Sequence, residues 1–257
     1  MMNVFNPSTL EDSKAKLGEI LESERLLEVQ VLVSANPLSP EEAIGSPQRR
    51  DFPIIEGRER VIEATVLGAK GHAFTDSPRS FCGTLKDILE LPLNSNPHRA
   101  IFISTLNAVL RHLGEVEGTV HCKDEDPEKC AKEIAEFVLE KWGMVRVGLI
   151  GLNPAIADAL ISAFHAENVA ITDLNRQNIG RERSSIEIRD GREENEWLIG
   201  QSEVVIVTGT TLVNGTFDHI IKSIRDRNKD YLIYGVTCAG ICSLNGLDRI
   251  CPYGRNQ

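Results

Sequence analysis

The sequence predicts an α/β protein in two parts: a mixed α+β domain over residues 1–142, then a small doubly wound parallel-sheet domain over 143–257. Three observations carry this. With 257 residues the chain can bury a sizeable core and make two domains. Up to Trp142 the pattern runs strands first and helices after. From Val145 onward, short apolar strands alternate with helical stretches, and strands that are apolar on both faces belong to a parallel sheet covered on both sides.

Ser8 and Glu11 have the spacing of a capping box, and Leu10, Leu17 and Leu21 then recur at helical spacing. The valine-rich stretch 28–34 reads as a strand. Residues 36–58, with Pro37, Pro40, Pro47 and Pro53, read as a long irregular connection, which is often functional in compact domains. A hairpin follows: alternation over 60–67, the turn GAKG (68–71) and the return HAFT (72–75). The period then becomes helical over 81–91 and again from about Pro97 to Leu113, where Phe102, Leu106, Val109 and Leu110 mark one face. GTVHC (118–122) reads as a short strand. Asp126–Pro127 start a helix that ends at Gly143.

The second half reads as strand VRVGLI, loop GLNP, a helix through His165, strand VAITD, a weaker strand at 186–188, a helix near 193–200, strand VVIVT, a helix from Phe217 and strand YLIYGV. In the common doubly wound order 3-2-1-4-5, ligands bind beyond the carboxyl ends of the first and fourth strands. Those ends are GLNP (151–154) and TGTTLVNGT (208–216), which should therefore face one another.

Neither loop is a complete nucleotide motif. Gly151 fits the first glycine of a dinucleotide fingerprint, but Asn153 and Ile156 stand where the others belong; Asp173, 22 residues later, does fit the ribose-binding carboxylate. Asn153–Pro154 reads as a cap and first-turn proline that leaves amides for an anion. TGTTLVNGT lacks the Gly-Lys-Ser/Thr of a phosphate loop. As a plain turn, Thr216 caps the next helix, Gly215 takes an unusual backbone angle and Asn214 closes a side-chain turn. Thr208, Thr210 and Thr211 remain unaccounted for and point to a ligand.

In the first half, Asn107 sits on a helix apolar nearly all round, and a buried amide must be hydrogen-bonded, either to a loop or to a ligand. Thr75 and Asp76 end a strand before a proline turn; Asp76 caps that turn or faces a cleft. Cys238, Cys242 and Cys251 lie too loosely for a zinc cage, Cys130 reads as core, and His121–Cys122 end a strand. His98, His112, His165 and His219 read as ordinary helix residues.

Composition narrows the function. A formal charge of −10 argues against nucleic acid. No apolar run approaches membrane-helix length, no signal-peptide pattern opens the chain, and six cysteines without a secretion signal imply a reducing, cytoplasmic setting.

Taken together, EATVLGAKGHAFTD, STLNAVLRHLG, TVHC, VGLIGLNP with TDLN, VTGTTLVNGT and the terminal CPYG resemble the family of "putative heavy-metal chelation" proteins. The resemblance implies an enolase-N-terminal-like domain joined to a Rossmann-like domain, with a site at their junction. It implies cleft residues Thr75, Asp76, Asn107, Gly151, Asn153, Asp173, Thr210, Thr211 and Asn214, with His121 and Cys122 as metal candidates. The implied occupant is a divalent or heavy metal, or a metal chelator whose polar groups the threonines and asparagines hold. The alternatives are an enzyme for a nucleotide-like or phosphorylated molecule, and a structural module that forms a homo-oligomer.

Overall fold

The computed structural model describes residues 8–34, 38–56 and 59–256. Helix α1 (Thr9–Ser23) begins at Ser8, whose hydroxyl accepts the Glu11 amide, and buries Leu10, Leu17 and Leu21. Strand β1 (Gln30–Val33) and the short helix α2 (Pro40–Ile44) follow, then β2 (Arg60–Val66), β3 (Ala69–Thr75), β4 (Phe81–Thr84), α3 (Leu85–Glu90), α4 (Asn96–His112) and α5 (Asp126–Trp142). The second half comprises β5 (Val147–Ile150), α6 (Pro154–Phe164), β6 (Val169–Asp173), β7 (Glu182–Arg183), β8 (Ile186–Asp190), α7 (Gly191–Gln201) and β9 (Val204–Thr208). It ends with α8 (Thr210–Asn214), α9 (Phe217–Asp226), β10 (Asp230–Tyr234), α10 (Ala239–Asn245) and β11 (Arg249–Ile250).

Two sheets result. The first is antiparallel, in the order β3-β2-β1-β4. The second runs β11-β10-β9-β5-β6-β8-β7 and is parallel apart from the β7–β8 edge pair. Its centre, β8-β6-β5-β9-β10, is the expected 3-2-1-4-5 order. Strands β5 and β9 pair directly, Ile150 opposite Val207, so the chain diverges between them and opens a crevice at their carboxyl ends.

Helix α4 is the hub. Every residue from Ala100 to Leu110 is buried, because β2 and β3 cover one side and α8 and α10 the other. Its contact with β3 is backbone to backbone: a Cβ on Gly71 would lie 2.2 Å from the Ser104 carbonyl oxygen. One hydrophobic cluster runs from α1 and the antiparallel sheet through α4 into Val205, Val207, Ile220 and Ile224 of the second half. Each of those fully buried side chains contributes roughly 1.5–3 kcal/mol of apolar transfer.

Four local expectations change. Residues 81–84 form β4, pairing with β1, and only then does Thr84 cap α3 through the Asp87 amide. GTVHC forms one bridge, Val120 to Arg255, and otherwise hangs from side-chain and loop bonds. TGTTLVNGT contains helix α8, closed by Gly215 at φ 81°. The turn of the hairpin is confined to Leu67–Gly68, since Ala69 already pairs with Val66. Within the 36–58 connection, Ser39 and Glu42 form a reciprocal capping box on α2; residues 36, 37, 57 and 58 lie outside the described residues.

Candidate functional site

One cavity of about 680 Å³ lies over the carboxyl ends of β5, β6, β9 and β10. Its floor is Gly151, Thr172, Asp173, Thr208 and Tyr234; the first half supplies walls from the end of β3, the start of α4, residues 121–122 and α5. Of the residues expected at the site, Thr75, Asp76, His121, Cys122, Gly151, Asn153, Asp173, Thr210, Thr211 and Asn214 all line it.

Asn107 does not. Its Nδ2 donates to the His72 carbonyl at 3.0 Å and to those of Val236 and Thr237, while its Oδ1 accepts the Gly240 amide at 2.8 Å. All its hydrogen-bonding capacity ties α4 to β3 and to the loop before α10, which is a structural role.

The lining residues divide by how much of each is already engaged. Gly151 takes φ 87°, and a Cβ there would stand 2.4 Å from the Thr208 methyl, so the first loop can approach the fourth strand only with glycine. The Asn153 Oδ1 accepts the amides of Ala155 and Ile156, capping α6 with its own side chain. With Pro154 lacking an N–H, the α6 terminus keeps few amides for an anion. The Asn214 Oδ1 accepts both the amide and the hydroxyl of Thr216, so Thr216 does not cap α9 with its side chain. Asn153 and Asn214 thus keep their Nδ2 donors for the cavity. Thr211 donates to the Thr208 carbonyl at 2.7 Å, and Thr208 and Thr210 share a hydroxyl contact at 3.1 Å.

Three carboxylates line the cavity, with Arg176 and Arg192 in the same lining. Asp173 accepts from the Asn175 amide and from Asn178 Nδ2, which closes its own turn. Asp76 accepts from Asn96 Nδ2 at 3.0 Å. Between them stands a residue that sequence reading passed over, Glu59, at the end of the irregular connection. Burial, then the Asp173 and Asp76 charges, push its carboxyl up to about 7. No motif marks it; its only signal is a carboxylate on a long loop that meets a strand.

Elsewhere in the lining, burial drives the His121 imidazole down to about 4, and its Nδ1–H donates to the Cys122 carbonyl at 2.6 Å. Burial raises the Cys122 thiol and takes that of Cys130 up to about 12, so both stay protonated at neutral pH. Cys130 borders the cavity and is only partly buried, so it is not the sealed core residue expected. Among the described residues, no three His, Cys, Asp or Glu side chains are spaced to hold a metal ion. His121 and Cys122 therefore do not make a metal centre, and the donor set does not fit a bare bound ion.

Residues 133–241 match the model of the DUF364 family, described as "Putative heavy-metal chelation". No curated protein matches the chain. Among solved structures, the chain is similar to a DUF364 protein of unknown function from Pyrococcus horikoshii: 14% identity and TM-score 0.54, covering 89% of this chain and 79% of that one. A DUF364 protein of unknown function from Desulfitobacterium hafniense DCB-2 aligns at 13% identity and TM-score 0.48, over 73% of each chain. The first likeness concerns the fold alone. No helix among the described residues is long and apolar enough to cross a membrane.

Proposed function

We propose, with the family match over 133–241 as premise, that this chain binds a small polar molecule in the cleft between domains 1–142 and 143–257, and that the occupant is a metal chelate. The observation that carries the reading is the cavity itself, where carboxylates meet amide donors from Asn153 and Asn214. A chelate presents complementary chemistry: oxygen acceptors on the organic part for the amides, and metal-centred positive charge for the carboxylates. Because the side chains are not spaced to bind an ion directly, the metal is held through its chelator.

The alternative, a nucleotide-like or phosphorylated substrate, draws on Asp173 at the end of β6. Two features count against it: both Asp173 oxygens close a local turn, and the α6 amides are capped from within. Partners are accordingly small molecules, with no role for nucleic acid or membrane, and the cytoplasm is the compartment that six free thiols suit.

The test is a thermal-shift screen of metal–chelator complexes, free chelators, divalent metals, nucleotides and S-adenosylmethionine, followed by equilibrium dialysis with elemental analysis. A chelate at 100 times its dissociation constant should add ~2.7 kcal/mol of stability. Binding by nucleotides and not by chelates would refute the reading.

A further inference from the structure

We propose that the cleft is selective for cations that carry their own complete shell of hydrogen-bond donors, and that Glu59 is the residue that sets this selectivity. The inference rests on reading the cleft as a ligand site and adds the charge, the coordination state and the recognising residue.

Three carboxylates reach the cavity from separate places in the chain: Glu59 ahead of β2, Asp76 after β3 and Asp173 at the end of β6. Asp76 and Asp173 have hydrogen-bond donors on their oxygens. Glu59 differs: its carboxyl has no hydrogen-bond or ion-pair partner among the described residues, although it is partly buried and burial raises its pKa. A desolvated carboxylate without a partner is costly, so it either takes a proton or meets a cation.

No cationic side chain among the described residues pairs with it, although Arg176 and Arg192 line the same cavity. Arg192 is committed to Asp190 and to the Leu174 carbonyl, and Arg176 is exposed on the turn after β6. Arg99, near Asp76, donates to the carbonyls of Leu93 and Val213 and to Asn96. Among the described residues a bare ion lacks the ligands it needs. What remains is a cation that binds through N–H or O–H groups of its own: a polyamine-type ammonium or a coordinatively complete metal complex.

Proton release follows from the same geometry. The titratable groups facing Glu59 are Asp76, Asp173 and Tyr234; Arg176, Arg192, His121 and the thiols also line the cavity. His121, at about 4, is neutral above pH 6, and burial keeps Tyr234 protonated through pH 8. Between pH 6 and 8, the Glu59 carboxyl loses its proton.

The experiment is isothermal titration at pH 6, 7 and 8 with hexaamminecobalt(III), an exchange-inert ion that cannot accept a protein ligand. Hexacyanocobaltate(III), of similar shape and opposite charge, is the counter-probe, and spermidine distinguishes an ammonium from a metal complex. Saturable one-site binding of hexaamminecobalt(III) is expected, strengthening by at most ~10-fold per pH unit below 7 and levelling above it. Glu59→Gln should weaken binding about tenfold and flatten the pH dependence, while the exposed Glu22→Gln should do neither.

Equal binding by Glu59→Gln, preference for the anionic complex, or no saturable binding of either cation would overturn the inference. An anionic hit in the ligand screen that is lost in Asn214→Ala would leave the cleft reading standing while this one falls. The Glu59 carboxyl has no hydrogen-bond partner among the described residues, and its amide keeps its bond to the Pro53 carbonyl in the variant, so its isosteric replacement is not expected to disturb folding.

Discussion

Glu59→Gln should make the protein more stable at pH 8 and leave it unchanged at pH 4.5. The folded-state pKa of Glu59 lies above its ordinary value, 4.5 against about 7, so the folded protein binds the proton more tightly than the unfolded chain does. That stabilisation is fully present below pH 4.5 and is lost as pH rises through 7. At ~1.4 kcal/mol per pH unit the rise corresponds to about 3 kcal/mol, and solvent screening of a partly exposed side chain brings it to roughly 2–3 kcal/mol. Glutamine carries no charge at either pH and escapes the loss. Any fixed cost of the amide is common to both conditions and cancels when the two are compared. Denaturant unfolding of wild type and variant at pH 4.5, 6, 7 and 8 measures it, and scanning calorimetry should show the melting-temperature gap opening by some 4–10 °C. His121 acts in the opposite sense: its depressed pKa makes stability fall as pH drops from 6.5 towards 4, but both proteins share it. A stability difference that stays constant from pH 4.5 to 8 would show that Glu59 is not enclosed with Asp76 and Asp173, and the electrostatic picture of the cleft would fail.

Asn107→Leu should cost about 3–5 kcal/mol in denaturant midpoint, because three carbonyls and the Gly240 amide lose their partner inside the core. Gly151→Ala should cost about 2–4 kcal/mol through its positive φ and the Thr208 methyl; adding Thr208→Ser should recover only the steric part, leaving the ~1–2 kcal/mol of left-handed strain. Gly71→Ala should abolish soluble expression, since no rotamer moves the Ser104 backbone away. Asn214→Ala should weaken any cleft ligand while leaving α9 folded, as seen by unchanged circular dichroism.

Much of the second half was legible because its information is local. Val204–Thr208 is apolar on both faces and therefore central, and the alternation of strand and helix restricts the sheet to a few orders, of which the common one is observed. That order places Gly151 beside Thr208 without any knowledge of the first half. Local reading failed where a long-range partner overrides propensity. Residues 81–84 look continuous with the helical pattern of 85–91, yet β1 supplies an edge that needs a fourth strand. GTVHC has the residues of a strand, yet it meets the β3 edge through the His72 amide, which donates to the Thr119 carbonyl, and pairs otherwise as the isolated Val120–Arg255 bridge. Asn107 read equally well as a ligand group or a structural clamp until α10 was seen to place the Gly240 amide against it.

Periodicity, caps and glycine positions in the chain determined the doubly wound sheet and the identity of most residues that meet at its carboxyl edge. Only the tertiary structure decided that Glu59 faces Asp76 and Asp173, that the cysteines and histidines do not converge on one ion, and that the α6 amides are already taken. The reason is range: backbone preference acts over a few residues, whereas desolvation and Coulomb coupling depend on which distant segments the shared core around α4 brings within reach of one another.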